Sequence, residues 1–149
     1  MRAEGDSGGA RSEIGRQRLR VPDVCLMMIE KKRRDMMLRT KRFSLAVIAL
    51  YSALPKSTVA QVLGKQVLRS ATSVGAHYRE ACRAKSRADF VSKIEGGLQE
   101  LDETGYWLEL LRDAEVVRAE QIEPLAAETN ELLSVFVSVV KSVKSPARA

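Results

Sequence analysis

The chain has 149 residues, of which 45% are hydrophobic, 5% aromatic and 30% charged, the composition of one compact domain rather than two. Its 25 Lys and Arg outweigh 19 Asp and Glu for a net charge of +6, an excess that permits binding to nucleic acid or an acidic partner without requiring it. One histidine and two cysteines, Cys25 and Cys82, are too few for a His/Cys metal site or a disulfide framework. Two thiols fit a reducing compartment. The longest apolar run, Val135 to Val140 interrupted by Ser138, falls far short of the roughly 20 residues that span a bilayer, and the Arg-rich N-terminus lacks the apolar core of a secretory signal. A cytoplasmic protein with no membrane partner is expected.

Residues 1–35 show no sustained periodicity and are expected to form a flexible basic extension. Beyond them no alternating strand pattern occurs, and four helical blocks follow, occupying residues 36–145 ahead of a short tail at 146–149. The first block, roughly Met37 to Ala53, spaces Phe43, Val47, Leu50 and Leu54 by steps of four, three and four. Pro55 ends it, because the residue before proline is pushed out of the α region. The second starts at Ser57, a good N-cap, and runs to about Ala84, with Val59, Leu63, Val67, Ser70, Val74, Tyr78 and Ala81 predicted on its core side.

The third block opens with Ser86-Arg87-Ala88-Asp89, a capping-box pattern in which Ser86 accepts from the third amide and Asp89 reaches back. Its core register follows Phe90, Ile94, Gly97, Leu101, Leu108 and Leu111. The fourth, about Gln121 to Val143, repeats the pattern with Leu125, Thr129, Leu132, Phe136, Val140 and Val143; Pro124 lies near its first turn, where a missing N–H is tolerated. Four amphipathic helices with short links predict an all-α fold, an up-down antiparallel four-helix bundle.

The runs Arg39-Thr40-Lys41-Arg42-Phe43-Ser44-Leu45, Leu54-Pro55-Lys56 and Gln66-Val67-Leu68-Arg69-Ser70-Ala71-Thr72-Ser73-Val74-Gly75-Ala76-His77-Tyr78-Arg79-Glu80-Ala81 resemble the bacterial four helix bundle protein family, whose members are also encoded in intervening sequences of 23S ribosomal RNA. The similarity continues through Ser86–Phe90 and Glu100–Leu111 to the Val135–Val137 stretch. The resemblance implies a four-helix bundle that assembles as a homopentamer in several relatives. It extends to the accessory variability proteins of diversity-generating retroelements, basic pentameric bundles that bind nucleic acid and a reverse transcriptase.

The strongest functional candidate is a basic stripe on the second helix. Lys65, Arg69, Arg79 and Arg83 fall on the side of the wheel away from the core, followed by Lys85 and Arg87. A row about 27 Å long suits an RNA or DNA phosphate backbone, where Lys and Arg gain affinity by releasing counterions without reading bases. The competing expectation is structural: residues 56–93 carry 8 basic and 2 acidic side chains, residues 94–131 carry 11 acidic and 2 basic, and the two sets can pair between helices or subunits. A second basic cluster joins Lys31–Arg34 to Arg39, Lys41 and Arg42.

Trp107, Leu110 and Leu111 widen the apolar arc of the third helix and are expected to make subunit contacts in a homo-oligomer. Catalysis has little support. His77 sits at the edge of a core face, where a lone histidine is usually a hydrogen-bonded structural residue. No Glu-x-x-His pair, Walker loop, nucleophile elbow or dinucleotide fingerprint occurs. The expectation is a non-enzyme without metal or cofactor, either a scaffold for nucleic acid or a protein-interaction adaptor such as an accessory subunit of a retroelement reverse transcriptase.

Overall fold

The computed structural model describes the backbone of residues 21–145 and the side chains of residues 29–145. Four helices follow in order: α1 (Val21–Ser52), α2 (Thr58–Cys82), α3 (Arg87–Asp113) and α4 (Ala119–Lys144). Among the described residues there is no strand. Each helix packs against the next and α1 touches α4, while α1 avoids α3 and α2 avoids α4. That is the square of an up-down bundle.

Helix α1 begins well ahead of the boundary expected near residue 36. Pro22 sits in its first turn, where no N–H is needed, and no helix breaker follows before Pro55. Residues 29–35 are all exposed, so this stretch is helical without burying a face and carries no apolar period. The rest of the expected extension, residues 1–20, and the tail at 146–149 lie outside the described residues.

The ends of α2 and α3 form as their sequences suggest. Ser57 accepts a hydrogen bond from the Ala60 amide, and Ser86 accepts one from the Asp89 amide at 3.0 Å. The reciprocal bond of the box lands one residue early: the Lys85 amide donates to Asp89 Oδ2 at 3.2 Å. Helix α4 starts at Ala119 rather than Gln121, which moves Pro124 into the second turn. There its missing N–H leaves the Glu120 carbonyl to water, tolerable because Pro124 is exposed.

The core follows the expected register in α1, α3 and α4: Phe43, Val47, Ile94, Leu101, Leu108, Leu132 and Phe136 are at most 2% exposed. Each such side chain contributes roughly 1.5–3 kcal/mol by leaving water. In α2 the expectation needs correction. Val67, Ser70, Val74 and Ala81 are buried as expected, but Val59 is 55% exposed, and Ala60, Gly64, Ala71 and Gly75 complete the buried face. Leu63, Tyr78, Phe90 and Val143 are half-buried at its margin. Small residues carry little apolar signal but let neighbouring segments approach: Tyr51 of α1 and Leu54 just after it pack over Gly64, and Thr40 over Gly75.

The α2–α3 contact holds the one buried polar bridge between helices among the described residues, in which the Ser70 and Thr104 hydroxyls lie 2.8 Å apart and each also reaches a carbonyl of its own helix, of Val67 and Glu100. His77 faces Gly96 across the same contact, yet its Nδ1 is buried without a hydrogen-bond partner among the described residues, contrary to the bonded histidine expected. The slightest contact is between α1 and α4. Arg39 clamps it, donating to Glu128 at 2.7 and 3.0 Å and to Glu131 at 2.6 Å. Beside the clamp lies a cleft of about 350 Å³ lined by Met36, Tyr78, Val135, Phe136 and Val139.

Three predictions follow from these contacts. A methyl on Gly97 would lie 2.7 Å from Phe136 Cε2, whereas one on Gly105 meets only Thr129 Cγ2 at 3.9 Å. In denaturant melts Gly97→Ala should therefore lose about 1–3 kcal/mol to overpacking, and Gly105→Ala should gain up to about 1 kcal/mol of helix propensity. After α3 the chain turns through Glu115 at φ 55, with the Val116 amide donating to the Leu111 carbonyl at 3.1 Å. This turn favours glycine, so Glu115→Gly should raise the unfolding midpoint by the equivalent of about 1 kcal/mol. Finally, burial, with Cys82 alongside, pushes the Tyr78 phenol up to about 12 from 10.0. Its contribution is full below pH 10 and is lost as pH rises through about 12, so Tyr78→Phe should lose less stability than the parent across that window.

Candidate nucleic-acid interface

The six basic residues of the expected stripe do not act as one row. Arg69 is engaged within the subunit: its guanidinium donates to Glu100 at 3.2 Å and to Glu103, both on α3. The hydrogen bond to Glu103 is the main reason its pKa rises further above its ordinary value, against a smaller effect of burial. A wheel drawn for α2 alone places Arg69 on the solvent side. A long side chain at that angle still reaches the neighbouring helix, and the acidic side of α3 supplies the partners.

Lys65 is exposed and forms no ion pair among the described residues, but it stands 14 residues from Arg79, about 21 Å along the helix. The remaining four, Arg79, Arg83, Lys85 and Arg87, are exposed and likewise without an ion pair among the described residues. They gather where α2 ends and α3 begins, at one pole of the bundle.

Contacts between the helices show what else reaches that pole. Thr40 of α1 packs on Gly75 of α2 and Tyr51 on Gly64, an antiparallel register that brings Arg33 level with the end of α2. Arg33 indeed acts on the Tyr78 phenol through its charge. Lys93 pairs with Glu80 at 3.4 Å and Lys144 with Glu95 at 2.6 Å, which sets the start of α3 and the end of α4 at the same level. The pole therefore gathers Lys31–Arg34, Arg79, Arg83, Lys85, Arg87, Lys93, Lys141 and Lys144 around Glu30, Asp35, Glu80, Asp89 and Glu95.

The opposite pole reverses the sign. The α1–α2 and α3–α4 turns meet there across Pro55 and Val116–Gln121. Lys56, Arg112 and Arg118 are outnumbered by Glu109, Asp113, Glu115, Glu120 and Glu123. The charges of the described residues thus form a dipole along the bundle axis. Arg39, counted in sequence with the N-terminal basic cluster, is removed from the free charges by Glu128, the main cause of its raised pKa, and by Glu131.

The expected subunit-contact residues also separate. Leu111 is fully buried in the core of its own bundle, so it offers no surface to a neighbour. Its position every third or fourth residue with Leu101 and Leu108 already fits the core register, and the wider arc came from counting it twice. Trp107 and Leu110 are half-buried. Trp107 packs against the core with its Nε1 buried and lacking a hydrogen-bond partner among the described residues. The aromatic ring turned outward is Tyr106, 54% exposed and 5.0 Å from the Trp107 ring. Sequence reasoning passed over Tyr106 because it lies among carboxylates.

Among the described residues no group of three or more His, Cys, Asp or Glu side chains is placed to hold a metal ion, and no helix is long and apolar enough to cross a membrane. Cys82 is a half-buried free thiol.

Comparison with known proteins agrees with the fold. No curated protein matches the chain. A crystal structure of a protein with unknown function from the S23 ribosomal protein family of Bacteroides thetaiotaomicron is similar, with 38% sequence identity and a TM-score of 0.69 over 74% of this chain and 98% of that one. Residues 32–138 match the family described as 23S rRNA-intervening sequence protein. That span takes in α2 and α3 whole, the larger part of α1 and α4 and most of the basic pole, and the chain belongs to the 23S rRNA-intervening sequence protein family.

Proposed function

We propose that the protein is a non-enzymatic, homo-oligomeric scaffold, pentameric as the resemblance implies, that holds the phosphate backbone of RNA or DNA against its basic pole. One observation carries this reading: Arg79, Arg83, Lys85 and Arg87 converge with Lys31–Arg34 at one end of the bundle, exposed and without ion pairs among the described residues. Cations left unpaired beside so many carboxylates elsewhere are available to displace counterions from a polyanion. The contact is to backbone rather than bases, because Tyr106 and Trp107, the only adjacent aromatics, lie away from this pole. Several subunits presenting one pole each raise the apparent affinity through multivalency.

The pairing of Arg69 with Glu100 and Glu103 favours a second reading for part of the stripe, in which its charges organise the protein itself. Extended to the whole pole, it describes an adaptor for a protein partner such as a retroelement reverse transcriptase.

The two readings separate in an RNA-binding experiment by light scattering at about 50 and 200 mM salt, the range over which phosphate contacts weaken steeply. Arg79→Glu with Arg83→Glu should weaken binding at least about tenfold at the lower salt and flatten the dependence of log K on log salt by about two. Arg69→Glu should leave that slope unchanged and cost no more than about 1 kcal/mol of stability. Equal retention of RNA by the double variant and the parent overturns the phosphate-binding reading.

A further inference from the structure

Two sides of the bundle stay unmatched after the core and the poles are accounted for. The order α1–α2–α3–α4 around the square sets the side shared by α1 and α2 directly opposite the side shared by α3 and α4. On α1, Tyr51 faces α2, donating to Gln61 at 3.0 Å. The rows just outside it hold Ile48, Leu45, Lys41 and Leu38 at helical spacing. All four are exposed, the three aliphatic ones by 43–53%. On α2 the row that begins at Gln61 continues through Lys65 and Leu68, with the exposed Val62 beside it. This side is apolar at its centre and cationic at its margins, and neither Lys41 nor Lys65 has an ion pair among the described residues.

The opposite side has the complementary character. On α3, Glu95 points toward α4, where it meets Lys144. The same line continues through Asp102, Tyr106, Glu109 and Asp113, all exposed. Asp102 and Glu109 form no ion pair among the described residues. On α4, Val137 is exposed and shares a shallow depression with Leu98. This side carries Tyr106, Leu98 and Val137 as its apolar residues and is anionic along α3 through Asp102, Glu109 and Asp113, with Lys141 and Lys144 flanking the depression at the basic-pole end.

We propose that these two sides are the halves of one subunit interface: the α1/α2 side of one copy packs on the α3/α4 side of the next, with Leu45 and Ile48 against Tyr106, Leu38 against Val137, and Lys41 and Lys65 facing Asp102 and Glu109. The inference rests on the homo-oligomer reading and goes further by naming the surfaces. The occupant is a second copy because this chain itself supplies a surface of opposite charge along α3, with apolar residues of its own and matching length. Two adjacent helices about 10 Å apart and nearly 40 Å long present roughly 800 Å², the area one partner buries in a specific interface of standard size. An apolar centre with a charged rim is the usual anatomy of such contacts. The two halves differ, so the association is heterologous and closes into a ring when the rotation between copies allows. With copies related by rotation about an axis along the bundle, every basic pole falls on the same side of the ring.

The test is a charge-swap cycle read as mass by light scattering and sedimentation. Lys41→Glu with Lys65→Glu, and separately Asp102→Lys with Glu109→Lys, should each raise the concentration needed for half-assembly at least about tenfold, as expected for reversed interfacial charges. Combining the four substitutions should restore assembly, which neither misfolding nor a change in net charge reproduces. Circular dichroism on each variant monitors the bundle. An oligomer whose mass is unmoved by either swap, or a combination that fails to regain assembly, overturns this interface while leaving the homo-oligomer reading standing. A parent protein that is monomeric at tens of micromolar overturns both.

Discussion

The close approach of α2 to its neighbours is the constraint on which the rest of the bundle depends. Gly64, Ala71 and Gly75 are buried in α2, and Gly97 is buried opposite on α3. Gly64 and Gly75 leave room for Tyr51, Leu54 and Thr40 on the α1 side, Gly97 leaves room for Phe136, and on the α3 side, where His77 lies over Gly96, the Ser70 and Thr104 hydroxyls are 2.8 Å apart. The same approach brings the solvent edge of α2 within reach of α3, which is why Arg69 ends on Glu100 and Glu103 rather than in water. Each glycine costs about 1 kcal/mol of helix propensity. The packing and hydrogen bonds gained between helices offset it.

Much of this architecture was legible in the residues, and the failures have specific causes. Periodicity located the core of α1, α3 and α4 because Phe43, Ile94, Leu132 and Phe136 are large and apolar, so burial and hydrophobicity coincide. On α2 the register holds at Val67, Ser70, Val74 and Ala81, but the rest of the buried face is small residues, and at the start of the helix a pattern read from large apolar side chains shifts one position, exposing Val59 in place of Ala60. The start of α1 was missed for the opposite reason: residues 29–35 are helical but exposed, and a helix that buries nothing has no apolar period. Hydroxyl caps at Ser57 and Ser86 depend only on neighbours within three residues, and these were placed correctly.

The candidate site was half legible, and the missing half is geometric. Composition and a wheel for α2 found Arg79, Arg83, Lys85 and Arg87, which are exposed and free of ion pairs among the described residues. A wheel cannot show that α1 runs antiparallel beside α2 with Arg33 at its end, nor that Lys144 is tied to Glu95 at the same level. Those contacts turn a supposed stripe into a pole. Leu111 differs, since its place in the core register was legible and its burial follows from it.

Splitting the surface into poles and sides gives the charges two separable tasks. The sides are long and carry apolar residues, so the charges beside these act mainly between protein surfaces and are partly shielded from solvent ions when those surfaces meet. The basic pole is exposed on every helix that reaches it, and its field is screened over roughly 10 Å at about 0.1 M salt. On the proposed reading, raising ionic strength weakens the hold of the pole on a polyanion before it loosens contacts between sides. An assembly built this way can release nucleic acid and remain assembled, because the two interactions draw on different residues and different degrees of desolvation.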